Sequence, residues 1–256
     1  MKKQNERISI IQKLDSQKTV VYKPKFCGIA HDVYIAENGI KKTVYRFTTE
    51  NTAKHNLFIS QQLRTIGLTV PDVSIHNIGG QYIETYPFIE GKTFYERLIE
   101  GMSPEKQDMV YKQLFDISYQ ISNIPYDSQF ELKLPLVLKS ISVLFKLCGI
   151  KNKKLYHTDL HAKNVILDEQ DNVHALIDLD AVYPEYFSVV LIHLIQDAQK
   201  YGYPVERLKD FSKSTDNQTD FLSLEKQMKI YLGARNTFRF FVNDFMYKQL
   251  LKIRIK

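Results

Sequence analysis

Residues 156–180 read YHTDLHAKNVILDEQDNVHALIDLD. Short apolar, β-branched runs, Val165 to Leu167 and Val173 to Ile177, flank Asp171-Asn172, which is the signature of a small hairpin. Polar residues gather at its open end. His157, Asp159 and Asn164 form H-x-D-x-x-x-x-N ahead of the first strand, and Asp178 follows the strand-like Ala-Leu-Ile. Asp180 lies two residues further on, on the same side if the strand continues. The bland alternative is a surface loop whose Asp and Asn serve turns, as Asp171-Asn172 does. It leaves unexplained why the polar groups cluster between two apolar strands.

Upstream of this hairpin the chain changes character twice. Val33 to Ala36 and Thr43 to Phe47 read as strands around Asn38-Gly39, and Val73 to His76 and Gln81 to Thr85 as strands around Gly79-Gly80. Between the two hairpins, Asn51 or Thr52 caps a helix that carries Leu57, Ile59, Leu63 and Ile66, closed by Gly67 and followed by Pro71. From residue 94 the pattern turns helical. Ser103-Pro104 opens a helix with Met109, Val110, Leu114, Ile117 and Ile121 on one face, stopping before Pro125, and Leu136 to Cys148 is a second. An antiparallel sheet with one helix therefore precedes a larger, mostly helical part, and no repeat or low-complexity tract interrupts it.

Composition narrows the class without choosing the function. The chain has 256 residues, 44% of them hydrophobic and 25% charged, which is the profile of an ordinary globular protein. Its 35 basic and 29 acidic residues leave a net charge of +6, which permits an anionic partner and does not require one. A nucleic-acid binder has only this charge in its favour, because neither a basic recognition helix nor an aromatic RNP-like sheet motif is present. Cys27 and Cys148 lack Cys or His neighbours at ligand spacing, so neither zinc nor a disulfide framework follows from them, and a reducing cytoplasm is the natural compartment. The first 17 residues, MKKQNERISIIQKLDSQ, are charged throughout and carry no signal-peptide core, and no apolar stretch approaches membrane-spanning length.

The H-x-D-L-H-x-x-N wording, with His161 after Asp-Leu, resembles the aminoglycoside phosphotransferase and choline kinase-like superfamily more closely than it resembles protein kinases. Other segments agree, in order and spacing, over residues 26 to 183. Cys27 to Tyr34, CGIAHDVY, is similar to the superfamily's phosphate-covering turn, with Ala30 and His31 in place of a hydroxyl residue and Asn. Thr43 to Phe47 is similar to its third strand, where Arg46 matches the cation that meets the phosphates. Gly67 to Pro71 resembles its link after the lobe helix, and YIETYPFIEG, Tyr82 to Gly91, its hinge.

The resemblance implies an α+β, bilobal protein-kinase-like fold. Residues 1–85 would form the nucleotide-binding lobe, 86–94 the hinge, and 95–256 the catalytic and acceptor-binding lobe. It implies ATP and magnesium as cofactors and a phosphotransferase acting on a hydroxyl. The chemistry fits these residues, since phosphoryl transfer needs a carboxylate beside the acceptor hydroxyl and oxygen ligands for a magnesium ion that bridges the phosphates. Asp159 is then the catalytic carboxylate. His157 holds the loop, and His161 either contacts phosphate or caps the loop. Asn164 and Asp178 hold the metal, and Asp180 joins them or bonds the loop. Gly28, Ala30, His31 and Arg46 face the phosphates, and backbone groups around Tyr86 to Phe88 meet adenine. Gly28 also suits an ordinary turn, and Arg46 a solvated strand edge. Two departures stand out. The superfamily's helix Glu that pairs with the strand cation falls here near His55 or Asn56, leaving Arg46 without its usual partner. Downstream of Asp180, Glu185 is the only nearby carboxylate.

Residues 200–256, the expected acceptor-binding part, carry 12 basic and 6 acidic side chains. That balance favours a neutral or anionic saccharide-type acceptor, such as a cell-envelope sugar, over a polycationic antibiotic, and the resemblance adds a choline-like alcohol as a further acceptor. An aminoglycoside phosphotransferase and a nucleotide-binding pseudokinase without turnover are the alternatives. The tail from Phe238 to Lys256 mixes aromatic and basic residues. It reads as a helix with a solvated basic face or, more sharply, as a patch for an anionic membrane surface at the inner membrane face. No obligate protein partner is evident.

Overall fold

The computed structural model describes residues 2–15, 19–24, 32–39, 41–126, 153–204, 206–208 and 229. They fall into two compact units. One takes in the chain up to Gln113 together with His161–Val182. The other takes in Leu114–Tyr126, the stretch that ends at Leu160, and the chain from Tyr183 onward.

A five-stranded antiparallel sheet forms the first unit's frame. Its strands are β1 (Val20–Tyr22), β2 (Asp32–Glu37), β3 (Lys42–Thr48), β4 (Ser74–Ile78) and β5 (Gln81–Pro87), in the spatial order β1-β2-β3-β5-β4. Both expected hairpins are present, turning at positive-φ glycines that include Gly39, Gly79 and Gly80. Period-two alternation gives this sheet two unlike faces. On one, Tyr34, Ala36, Tyr45, Phe47 and Ile83 pack beneath Ile11 of helix α1 (Lys2–Leu14), with Ile8, Ile10 and Leu14 beside it. Tyr34 and Phe47 meet edge to face at 5.8 Å. The charged N-terminal stretch is thus a helix, whose apolar residues at 8, 11 and 14 recur three apart and cover the sheet.

Helix α2 (Glu50–Thr65) lies on the other face. Its N-cap is Thr49, two positions before Asn51 and three before Thr52, because the Thr49 hydroxyl accepts the Thr52 N–H. It ends at Ile66, with Gly67 at φ +82°. Ile59 and Leu63 are fully buried, and the Ser60 hydroxyl donates to the Pro71 carbonyl, tying the helix to the link that follows it.

The link after β5 leads through Gly91 into β6 (Lys92–Thr93), which pairs with β8 (Val165–Leu167), itself paired with β9 (Val173–Leu176). Gly91 has φ +139°, and a Cβ there would stand 2.6 Å from both the Ile166 side chain and the Leu167 carbonyl, so only glycine lets the two strands approach. Helix α3 (Phe94–Ile99) follows with a capping box of Thr93 and Glu96, and α4 (Pro104–Ser122) begins with proline at its first position as expected.

In the second unit, β7 (Lys154–His157) pairs with β10 (Val182–Glu185), and α5 (Phe187–Lys200) buries Val189, Val190, Leu191, Ile192, Leu194 and Ile195. Phe187 packs against Phe115 at 6.1 Å and Tyr156 at 5.7 Å. The helix expected over Leu136 to Cys148 and the tail from Phe238 to Lys256 lie outside the described residues. No helix among the described residues is long and apolar enough to cross a membrane.

Candidate functional site

The β8–β9 hairpin is held open at one end by backbone bonds that join the two halves of the sequence motif. Asn164 N–H donates to the His161 carbonyl at 2.9 Å, and Ile177 N–H donates to the Asn164 carbonyl at 3.0 Å. Asn164 therefore stands beside the residue that precedes Asp178. At the closed end, Asp168 accepts from Gln170 N–H and Asn172 N–H, and Asp171 takes φ +66° while pairing with Arg97 at 2.9 Å.

Asp178 and Asp180 do not share the side of a continuing strand. The strand ends at Leu176, Asp178 adopts a left-handed conformation at φ +67°, and Leu179–Ala181 form a single 3-10 turn closed by Ala181 N–H on the Asp178 carbonyl. The left-handed residue and the turn bring both carboxylates to one cation instead. Arg46 Nη2 lies 3.2 Å from Asp178 Oδ1 and 2.9 Å from Asp180 Oδ1.

Arg46 is no solvated edge cation. Its side chain is only 5% exposed, and the residue directly opposite it in the β3–β5 register is Glu84, whose Oε2 lies 3.5 Å from Arg46 Nη1. Glu84 Oε1 accepts from Asn56 Nδ2 of α2 at 2.9 Å. The partner that the helix does not supply thus comes from the neighbouring strand, and Asn56 orients it. Burial works against the Arg46 charge, but Asp180, Glu84 and Asp178 more than offset it, and its pKa is raised. Next to Asn56, fully buried His55 donates from Nε2 to the Val182 carbonyl at 2.9 Å, and burial pushes its pKa below the ordinary value. Tyr86, two residues beyond Glu84 and so on the same face, has its hydroxyl pushed up by burial, with Arg46 opposing the shift.

The remaining expected residues are placed as follows. His157 is buried at the end of β7, and Asp159 is half-buried in the turn after it, within the second unit. The Thr158 carbonyl between them accepts from His193 Nδ1 of α5, a contact that the spacing of His193 does not announce. His161 Nδ1 accepts the Lys163 N–H at 3.2 Å. Phe88 spends its N–H on the Lys42 carbonyl, extending the sheet. Gly28, Ala30 and His31 lie outside the described residues. Glu185 is buried, capping Tyr186 N–H and pairing with Lys153 at 3.4 Å.

Asp178, Asp180 and Asn164 offer hard oxygen donors of the kind magnesium takes. That ion keeps several waters and phosphate oxygens, so one or two protein carboxylates suffice. Among the described residues no cluster of three His, Cys, Asp or Glu could hold a metal by itself. Among the described residues, three carboxylates gather around one guanidinium, a negative excess that suits a divalent cation.

Fold and site together define a kinase-like α+β protein. No family model and no curated protein matches the chain. Solved structures do match it across most of its length. It is similar to the GDP complex of aminoglycoside 2'-phosphotransferase-IIIa, with a TM-score of 0.63, 12% identity, and coverage of 90% of this chain and 88% of that one. It is similar to the ternary complex of aminoglycoside phosphotransferase APH(4)-Ia with ADP and hygromycin B, with a TM-score of 0.60, 11% identity, and coverage of 93% and 92%. Spectinomycin phosphotransferase APH(9)-Ia, in complex with ADP and spectinomycin, follows at a TM-score of 0.51, 14% identity, and coverage of 90% and 98%. The fold is the one these phosphotransferases share.

Proposed function

We propose that the chain is an ATP- and magnesium-dependent phosphotransferase that moves the γ-phosphoryl group to a hydroxyl of a small molecule or saccharide. The observation that carries this reading is the convergence of Asp178 and Asp180 on Arg46, beside an Asn164 tied to the same hairpin end. Asp178 and Asn164 would hold the metal, with Asp180 beside them, and magnesium bound there would neutralise phosphate charge. Arg46 donates to phosphate oxygens. Asp159 orients the acceptor hydroxyl and takes its proton as the oxygen attacks phosphorus and the bond to the leaving ADP oxygen breaks. His193 steadies the turn that carries Asp159 by donating to the Thr158 carbonyl. Positioning and charge neutralisation do most of the work.

The basic excess in residues 200–256 favours a neutral or anionic saccharide-type acceptor. A second reading, transfer to an aminoglycoside, is favoured by the ligands named for the similar structures, hygromycin B and spectinomycin among them. The pseudokinase alternative loses its motive, because Arg46 has a buried carboxylate partner in Glu84.

Asp159→Asn should abolish transfer and leave nucleotide binding in place, whereas Asp178→Asn should weaken magnesium-nucleotide binding as well. Phosphate-transfer assays that follow ADP formation and labelled acceptor over pools of sugars, amino alcohols and antibiotics, with calorimetric titration of nucleotide, separate the two. Full turnover by either variant would overturn the assignment, and transfer to aminoglycosides alone would establish the second reading.

A further inference from the structure

Three carboxylates surround Arg46, and they are unlike one another. The Asp178 and Asp180 side chains are 41% and 25% exposed, whereas Glu84 is 1% exposed and lies directly across the β3–β5 ladder. The two aspartates can turn toward water or toward another cation. Glu84 can do neither, because one of its oxygens takes a donor from Asn56 and the other faces Arg46. A divalent ion drawn to Asp178 and Asp180 competes with the guanidinium for both of them. Until phosphate oxygens reach it, Arg46 would then be left buried without a counter-charge unless a third carboxylate stayed behind, and a buried unpaired cation is strongly unfavourable.

On the phosphotransferase reading given above, we infer that Glu84, oriented by Asn56, is the positioning residue that keeps Arg46 in place and charge-paired while its other two partners are committed to the metal and nucleotide. The counter-charge comes from the neighbouring strand, and the helix supplies an amide that donates to it. The donor and acceptor pattern makes this specific. Ionised Glu84 accepts at both oxygens, so each neighbouring donor is matched. A glutamine there removes the negative charge that Arg46 faces; Asn56 can turn its amide so that Oδ1 meets the glutamine NH2, so the lost counter-charge is what the substitution tests. Changing Asn56 to aspartate at the same time restores the negative charge one side chain away, with the glutamine NH2 donating to it and its oxygen facing Arg46, without altering shape.

The experiment titrates the 256-residue chain with a non-hydrolysable ATP analogue and magnesium, with KM for ATP, kcat and thermal unfolding measured in parallel. Glu84→Gln should weaken analogue binding by about tenfold or more and raise KM for ATP more than it lowers kcat, as loss of a positioned phosphate contact requires. The double variant Asn56→Asp with Glu84→Gln should recover binding to within about threefold of wild type. Asn56→Ala, which leaves Glu84 ionised and is the milder change, should weaken binding by about threefold and keeps the test valid if Glu84→Gln does not fold. Folded single variants that bind the analogue like wild type, or a double variant no better than Glu84→Gln, would overturn the inference alone. Wild-type protein that fails to bind the analogue would overturn the phosphotransferase reading and this inference with it.

Discussion

The same strands present two faces with opposite chemistry. Beneath α1, Tyr34, Ala36, Tyr45, Phe47 and Ile83 make an apolar layer sealed by Ile11. One residue over on β3 and β5, Arg46 and Glu84 stand opposite each other, with Asn56 and His55 above them on α2. On the first face energy comes from area removed from water and from filled volume, with no donor or acceptor to match. On the second it comes from matched donors, acceptors and charges, where losing one partner costs more than the contact is worth. A sheet can thus be stabilised from one side and left to hold a cation on the other.

That contrast breaks if substitutions on the two faces behave alike. Arg46→Met should cost about 3–5 kcal/mol of stability, because it leaves Glu84 buried without its cation, and it should abolish the nucleotide response; urea unfolding and analogue titration read the two effects. Ile11→Ala should cost a comparable amount, about 2–5 kcal/mol, through the cavity it leaves, yet the folded fraction should bind nucleotide with unchanged affinity. A binding defect in the Ile11 variant would erase the distinction between the faces.

His55 sharpens it by pH. Burial holds its folded-state pKa below the ordinary value of 6.5, so the unfolded chain binds more protons as pH falls through 6.5. Stability should therefore be full above that pH, decline below it, and level off under the lowered pKa. Urea midpoints at about pH 7.5 and about pH 5.5 should differ in wild type and differ less in His55→Gln, whereas Ile11→Ala should keep the wild-type pH dependence. The smallest effect belongs to the cap of the helix that carries Asn56. Thr49→Ala should lower stability by about 1 kcal/mol without changing the KM for ATP.

Much of this architecture was legible locally. Period-two alternation marked the β2–β3 and β4–β5 hairpins, and the apolar runs around Asp171-Asn172 marked β8 and β9. The start of α4 at Pro104 and the link after Gly67 followed from end signals that operate over a few residues. Helix α1 went unread because its lysines, glutamate and arginine outnumber the isoleucines that touch the sheet, and their three-residue spacing carries little weight over so short a stretch. Thr49 was missed as the cap because Asn51 and Thr52 are equally good caps by type.

The sequence by itself determined the chemistry available: an H-x-D-x-x-x-x-N loop, a following pair of aspartates, and one arginine on an apolar strand. Only the tertiary structure decided how they meet. Arg46 and Glu84 are 38 positions apart, and a one-residue slip of the β3–β5 register would turn them to opposite faces. Asp178 and Asp180 reach the same guanidinium through a left-handed residue and a 3-10 turn that their strand-like surroundings concealed. Residue type is written locally, whereas pairing depends on register and on backbone conformations that sequence pattern does not specify, and the charge pairing at this site is a property of that register.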